Sequence, residues 1–475
     1  MPEGIVEQLD HIFKAKSIAV IGASNTPPKW GFRMVYSPLK TGYRGPIYPV
    51  NPRLKEVGGL PCYPTVRDIP YDVDMAVIVV PAAAVPQAMA DCVAKGVKGA
   101  VLITAGFAET GREGKLLEDE VVRIAREGGV RFVGPNGMGI YSSAVSLNLC
   151  FFQNPWEGRI AFVSQSGTFG GLLAEIASKK GYGLSKFISI GNQADLKAGD
   201  YLEYLGEDDG TGAIIFYMEG FKDGRRFFQT AREVIRKKPI IIYKAGRSEA
   251  AGRATISHTS SLAGSDNVFD AMCKQVGIIR ASEVTDPFDM AEALVGQPLP
   301  RGNRVAIIGS GGQGVVTSDT CESLGLKVPE LDDETKASLK KELPAHAPVP
   351  TNPVDFAGAM RTALDEARIA DALARIDYID GIITNMPIAG FSVGSSGDMA
   401  RTAIEGAEVL SAIPKKYGKP VITLRWGVGN GNDIVQNIVK GSGIPAYDSP
   451  EQCARAMQAL AMYAQTRREL GMNQE

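Results

Sequence analysis

Apolar residues recur along this chain in short, β-branched runs. SIAVIG, MAVIVV, AVLITA, IAFV, AIIFYM, PIIIY and RVAII are each shorter than a typical helix. Such runs read as strands of parallel sheets covered on both faces, and helical periodicity fills several of the intervals between them. In the first third of the chain the pattern predicts strands over Ser17–Gly22, Ile47–Val50, Met75–Val80, Ala100–Ala105 and Arg131–Val133. In the middle third it predicts Ile160–Val163, Lys186–Ile190, Ala213–Met218 and Pro239–Tyr243. The last third adds Arg304–Ile308, Gly381–Asn385 and Pro420–Trp426, with a final helix entered at Ser449, where Ser-Pro-Glu supplies an N-cap and a first-turn proline.

Three runs lead into the same kind of turn: KSIAVIGASN from Lys16, RIAFVSQSGT from Arg159 and NRVAIIGSGGQG from Asn303. A strand that enters a Gly/Ser turn and then a helix is the opening unit of a parallel α/β sheet. The 475-residue length fits about three domains at roughly 150 residues each. The expected fold is therefore α/β in three consecutive domains, over residues 1–150, 151–298 and 299–475. The joining segments, near Asn148–Gly158 and Gly296–Asn303, are rich in Gly, Pro and Asn.

Charge and composition narrow the function. Lys plus Arg number 51 against 53 Asp plus Glu, so no basic field points to nucleic acid or an anionic membrane. The longest apolar run, Met75–Ala90, is short for a membrane span and holds Pro81 and Pro86. An N-terminus of alternating charges and six scattered cysteines without a CxxC predict a reduced, cytoplasmic protein. Three well-separated histidines predict no metal site.

The first turn, GASNTPPKWG over Gly22–Gly31, can cradle a phosphate: small residues admit an anion, a helix start offers N–H groups and Lys29 adds charge. It lacks the GxGxxG fingerprint of nicotinamide binding, and a tight turn without ligand explains the same residues. Further strand ends, at Val50-Asn51-Pro52, Val80-Pro81, Thr104-Ala105-Gly106 and Gly134-Pro135-Asn136, should converge on one crevice. In the second domain Ser166, Gly167 and Thr168 open a helix, as an anion site or as a plain serine N-cap. Glu219 ends a strand at the edge where open α/β sheets keep their ligands, although a solvated glutamate would read the same. The connection KAGRSEAAGRATISHTSSLAG that follows is long for a compact domain and carries His258. A carboxylate, an imidazole and a helix start at one sheet edge suffice to orient a histidine and place a phosphoryl group on it.

At these residues the chain resembles the α subunits of the NDP-forming acyl-CoA synthetases, the ADP-forming acetate–CoA ligase group related to succinyl-CoA synthetase. AVIGAS with a following Pro, Lys and Gly, then YPVNP, LITAGFAETG, GPN, VSQSG, YMEG with KDGR, SHT with LAG, NPVDF and GIPAYDSPE stand in the family's order over essentially the whole chain. The resemblance implies a Rossmann-like CoA-binding domain followed by two flavodoxin-like domains. It also implies that acyl-CoA and phosphate give an acyl phosphate, which phosphorylates His258 with Glu219 as the supporting carboxylate. Ser166, Gly167 and Thr168 would hold the phosphoryl group. Gly22, Ala23, Ser24, Asn25, Lys29, Val50, Asn51, Pro52, Val80, Pro81 and Asn136 would contact coenzyme A. ADP or ATP and Mg²⁺ would sit on an ATP-grasp β subunit in a hetero-oligomer such as α2β2, since no such module is legible here. A CoA-binding regulatory module without ligase activity is the competing reading. The chain departs from the family pattern at Gly137, at Ser260 and in the loop Gly309–Gly314.

Overall fold

Strands that are apolar at every position must be covered on both faces, and helices cover them here. The computed structural model describes residues 3–150, 154–248, 265–309, 311–343, 345–356, 362–384, 397–425 and 434–472. The chain divides into two compact units, Met1–Ser282 and Glu283–Glu475.

The first unit holds two large sheets and a small hairpin. Strands β1 (Ile18–Ile21) and β2 (Ile47–Val50) precede the hairpin strands β3 (Glu56–Val57) and β4 (Leu60–Pro61). Strands β5 (Met75–Ile78), β6 (Gly99–Leu102) and β7 (Arg131–Val133) complete the first sheet, which is parallel throughout in the order β2-β1-β5-β6-β7. All four residues of β1, β5 and β6 are buried. The helix Arg112–Glu127 shows how the cover forms: its buried positions, Gly114, Glu118, Val121 and Ala125, recur at helical spacing on one face. Three strands are shorter than their hydrophobic runs. Gly22, Val79, Val80 and Ile103–Ala105 leave the sheet at its carboxyl end, where the chain turns into loops.

The second sheet contains β8 (Ile140–Ser142), β9 (Leu147–Asn148), β10 (Glu157–Ser164), β11 (Leu184–Ser189), β12 (Ala213–Met218), β13 (Ile240–Lys244) and β14 (Ile279–Arg280), in the order β14-β13-β12-β10-β11-β8-β9. Its five strands from β10 to β14 are parallel, whereas β8 runs antiparallel to β11 and β9 antiparallel to β8. Residues 140–148, grouped with the first domain on sequence, thus pair with the second sheet.

The second unit contains a parallel sheet of β15 (Val305–Gly309), β16 (Val354–Asp355), β17 (Gly381–Thr384), β18 (Val421–Leu424) and β19 (Ala446–Tyr447), in the order β16-β15-β17-β18-β19. The expected strand ends at Asn385 and Trp426 lie outside the described residues. The last helix, Pro450–Glu469, begins as expected, with the Ser449 side chain accepting a hydrogen bond from the N–H of Gln452. Among the described residues no helix is long and apolar enough to cross a membrane.

Setting aside the hairpin and the two antiparallel strands, all three sheets share one order: the first strand is flanked by the second and third. Ligands in such sheets sit at the carboxyl ends beside the first strand, where the winding reverses. In the first unit one buried carboxylate ties the loop after β11 to β7, the outer strand of the first sheet, and to the helix before it. Asp195, in the loop after β11, accepts hydrogen bonds from Arg126 Nε (3.0 Å), Arg131 Nε (2.8 Å) and the N–H of Phe132 (3.1 Å). The same loop donates from Asn192 to the Pro135 carbonyl and from Ala194 to the Gly134 carbonyl. Removing Asp195 leaves the mostly buried Arg131 guanidinium and the buried Phe132 N–H without their acceptor. Asp195→Ala should therefore lower the unfolding free energy by about 3 kcal/mol, measured by denaturant titration of the full chain. A loss within experimental error would show that this carboxylate does not hold the loop.

Candidate active site

The carboxyl end of β10 meets the start of the helix Gly167–Lys179. Ser166 is the N-cap residue in extended backbone conformation, yet its side chain caps nothing. The plain serine cap is therefore not what this serine provides. A helix leaves its first N–H groups without intrahelical acceptors, so Gly167, Thr168 and Phe169 present donors and the positive end of the dipole. Glycines permit the close seating of this helix. A Cβ at Gly170 would fall 2.2 Å from Ser164 Oγ, and one at Gly171 would fall 2.7 Å from Met138 Sδ.

Glu219 follows β12, the strand beside β10, at the same edge. It is buried, at 8% exposure, so the solvated reading of this glutamate does not hold. Gln165 ties the two strand ends together: its Oε1 accepts from the N–H groups of Glu219 (3.0 Å) and Gly220 (3.1 Å). Lys244 Nζ donates to the carbonyls of Glu219 (2.8 Å) and Ala245 (2.6 Å) from the end of β13. Burial and then the Glu219 charge push the Tyr217 hydroxyl up to about 12, so it remains a neutral phenol here.

A cavity of about 1290 Å³ joins this edge to the carboxyl end of the first sheet. Val79, Val80, Pro81, Ile103, Thr104 and Ala105 form one wall, Ser166–Phe169 another, and Asn136–Met138, Gly191 and Asn192 lie between. Trp30 and Arg33, from the helix that follows the first turn, also reach it. Val80, Pro81, Asn136, Ser166, Gly167 and Thr168, six residues expected from sequence, thus line one space.

The remaining first-turn residues are spent on the turn. Gly22 and Ala23 donate their N–H groups to the Val50 carbonyl, at 2.9 and 3.1 Å, and Asn51 Nδ2 donates to the Ala23 carbonyl at 2.8 Å. Gly22 has φ +96° and lies against Val79, while a Cβ at Gly31 would fall 1.9 Å from the Gly22 carbonyl. Ser24 Oγ accepts from the Thr26 N–H, and the Asn25 amide holds Glu56 and Gly58 of the hairpin. Val50 is buried, while Lys29 and Pro52 are exposed, Lys29 as the N-cap of the helix Trp30–Thr41. His258 lies outside the described residues.

A family model described as a CoA binding domain matches residues 16–143, and one described as a succinyl-CoA ligase like flavodoxin domain matches residues 157–294. The chain is 43% identical over 459 residues to the α subunit of ADP-forming acetate–CoA ligase II from Pyrococcus furiosus, covering 96% of this chain and 98% of that one. It belongs to the ADP-forming acetate–CoA ligase α-subunit family. A relative from Archaeoglobus fulgidus, ADP-forming acetate–CoA ligase I, is 38% identical over 96% of this chain, which spans 64% of that longer protein. The structure of acetyl-coenzyme A synthetase 1 from Candidatus Korarchaeum cryptofilum, solved with phosphate and ADP, superposes with a TM-score of 0.85 at 35% identity, covering 98% of each chain.

Two departures from the pattern of these ligase α subunits acquire physical causes. A Cβ at Gly137 would fall 2.7 Å from the Ser189 carbonyl, so the backbone here admits only glycine without rearrangement. In the third opening turn, the N–H of Gly311 donates to Asp355 Oδ1 (3.3 Å), so a carboxylate of the protein already occupies that helix start.

Sequence reasoning missed Gln165, Glu109 and Asn192. Gln165 was in view within VSQSG, but its pairing with Glu219 is a tertiary contact without a local signal. Asn192 Nδ2 donates to Glu109 Oε2 (2.5 Å) and to Glu118 Oε2 (3.1 Å). Burial alone would raise the pKa of Glu109, but the hydrogen bonds from Asn192 and the Gly106 N–H hold it below its ordinary value. A carboxylate with a depressed folded-state pKa contributes stability above its unfolded pKa and loses it as pH falls through the folded value. Glu109→Gln should be less stable than the parent by about 1 kcal/mol at neutral pH. The difference should shrink below about pH 4, as read from paired denaturant titrations. A pH-independent difference would contradict the assignment.

Proposed function

We propose that this chain is the acyl-CoA-processing subunit of an ADP-forming acyl-CoA ligase, and that its reaction runs through a phosphohistidine at His258. Coenzyme A is consumed or released in each turnover and is therefore a substrate. The observation that carries this reading is the cavity in which a helix start and the strand ends of a CoA-binding domain face one another, with the buried Glu219 at the end of the strand next to that helix start.

In the ATP-forming direction, a phosphate oxygen attacks the thioester carbonyl, the C–S bond breaks, and coenzyme A leaves with the proton that its sulfur needs. The acyl phosphate then transfers its phosphoryl group to His258, releasing the carboxylic acid. Transfer to ADP regenerates the imidazole and yields ATP. Phosphoryl transfer depends mainly on positioning and on stabilising charge over the phosphoryl oxygens. The first-turn N–H groups after Ser166 fit that task, and Thr168 adds a hydroxyl beside them. Glu219, held by Gln165 on one side and near the Lys244 ammonium on the other, fits the role of accepting the second imidazole N–H. That interaction would fix the tautomer that presents a lone pair to phosphorus. The covalent intermediate retains transfer potential while keeping the reactive phosphoryl group on the protein.

Coenzyme A is assigned to the first sheet, with its phosphates near Lys29 and the helix start at Trp30, and its chain passing Val80 and Pro81 into the cavity. Gly22, Ala23, Ser24, Asn25, Asn51 and Pro52 then act by shaping the turn on which the ligand lies. The nucleotide and Mg²⁺ belong to an ATP-grasp β subunit in a hetero-oligomer, in keeping with relatives named as α subunits. The sheet of the second unit, with the same strand order as the other two, reads as a second flavodoxin-like domain.

Incubation with acetyl-CoA and phosphate, in the presence of the β subunit, should place an acid-labile phosphoryl group on His258, detected by mass spectrometry of the intact chain and its peptides. No label with acetyl-CoA or with larger acyl-CoAs would sink the proposal. Glu219→Gln should slow labelling on the order of 100-fold while leaving coenzyme A affinity unchanged. A parallel loss of both would make Glu219 a structural residue.

A further inference from the structure

We infer that Glu109 and Asn192 are positioning residues that fix the Asn136 amide so that its oxygen accepts a hydrogen bond from the thiol of coenzyme A. This rests on the proposed function, in which the sulfur end of coenzyme A enters the cavity.

Donor and acceptor bookkeeping carries the assignment. A carboxylate only accepts, so the two contacts of Asn192 with Glu109 Oε2 and Glu118 Oε2 must both be made by its Nδ2 hydrogens. That leaves Asn192 Oδ1 for its neighbour, and Asn136 Nδ2 donates to it at 3.3 Å. With its NH₂ turned toward Asn192, Asn136 has its Oδ1 left over, and among the described residues that oxygen accepts no hydrogen bond. Its backbone is equally constrained: the Asn136 N–H donates to the Thr104 carbonyl at 3.0 Å, and φ is +58°, a region that asparagine tolerates better than most side chains.

The other amide and carboxylate oxygens lining the cavity are already committed. Glu109 Oε1 accepts from the Gly106 N–H (2.6 Å) and Oε2 from Asn192, while Gln165 Oε1 takes two N–H groups at once. The helix start at Ser166 offers donors, which suit phosphate and carbonyl oxygens. A thiol arriving there brings a donor of its own and needs an acceptor, and Asn136, lining the same cavity, supplies one in its Oδ1. Gly137, next in sequence, carries no side chain to block the approach.

The test compares coenzyme A with desulfo-coenzyme A, which lacks only the sulfur, by calorimetric titration of the full chain. The wild type should bind coenzyme A about three- to tenfold more tightly. Asn136→Ala should abolish that preference. Glu109→Gln should reduce it, because a glutamine cannot accept from both Gly106 and Asn192, and should leave desulfo-coenzyme A affinity within about twofold. In the Asn136→Ala background, adding Glu109→Gln should change coenzyme A affinity no further. Equal wild-type affinities for the two ligands, or a Glu109→Gln effect of the same size on both, would overturn the inference while leaving the proposed function intact. Failure of the wild type to bind either ligand would overturn the proposed function, and this inference with it.

Discussion

In the first unit two sheet ends approach each other without intervening side chains. A Cβ at Gly191 would lie 2.1 Å from the Pro135 carbonyl, and one at Gly137 would lie 2.7 Å from the Ser189 carbonyl. Backbone therefore meets backbone between the loop after β7 and the loop after β11. Everything chemical in the cavity depends on that distance. The helix start at Ser166 can face the strand ends of the CoA-binding domain only because nothing fills the seam, and Asp195 keeps it closed from behind with Arg126 and Arg131. Side-chain contacts could have supplied the same burial, but they would have moved the N–H donors of the helix start away from Asn136 and Thr104.

Much of the parallel architecture was legible because its signal is local. Strands buried on both faces announce themselves as β-branched runs, and β2, β7 and β12 occupy the segments that those runs predicted. The runs overshot at β1, β5 and β6 because an apolar residue at a strand end looks the same whether it continues the strand or turns to line a cavity. Val80 and Ile103 do the latter. The antiparallel pair β8 and β9 was invisible for a different reason: strands this short carry no usable periodicity, and their partner, β11, lies some forty residues further along the chain.

The site was legible in part. The VSQSG and YMEG segments pointed to a helix start and a carboxylate at neighbouring strand ends, and the fold brings both to one edge. The chain Glu109–Asn192–Asn136 was not readable, since its members are polar residues in separate loops whose meaning is only their mutual orientation. Similarity of pattern also misled where a tertiary contact changed the chemistry. The third Gly-rich turn copies the second in sequence, but Asp355 donates its own negative charge to that helix start, whereas the Ser166 turn keeps its donors turned toward open space. The same strand order thus yields an uncapped helix start in one case and a self-satisfied turn in another.

The antiparallel pair also governs how the molecule can be divided. The chain leaves the first sheet at Val133 and, before crossing to β10, lays β8 and β9 along the flank of β11. A fragment cut near residue 150 would carry these strands away with the wrong partner. It would strip β11 of its neighbour and expose a row of unpaired backbone groups, the kind of edge that recruits other chains. The two sheets are in this sense stitched as well as packed. Modular exchange of the CoA-binding portion, in the laboratory or over evolutionary time, has its clean seam just before Ile140, earlier than the Gly- and Pro-rich segment would suggest.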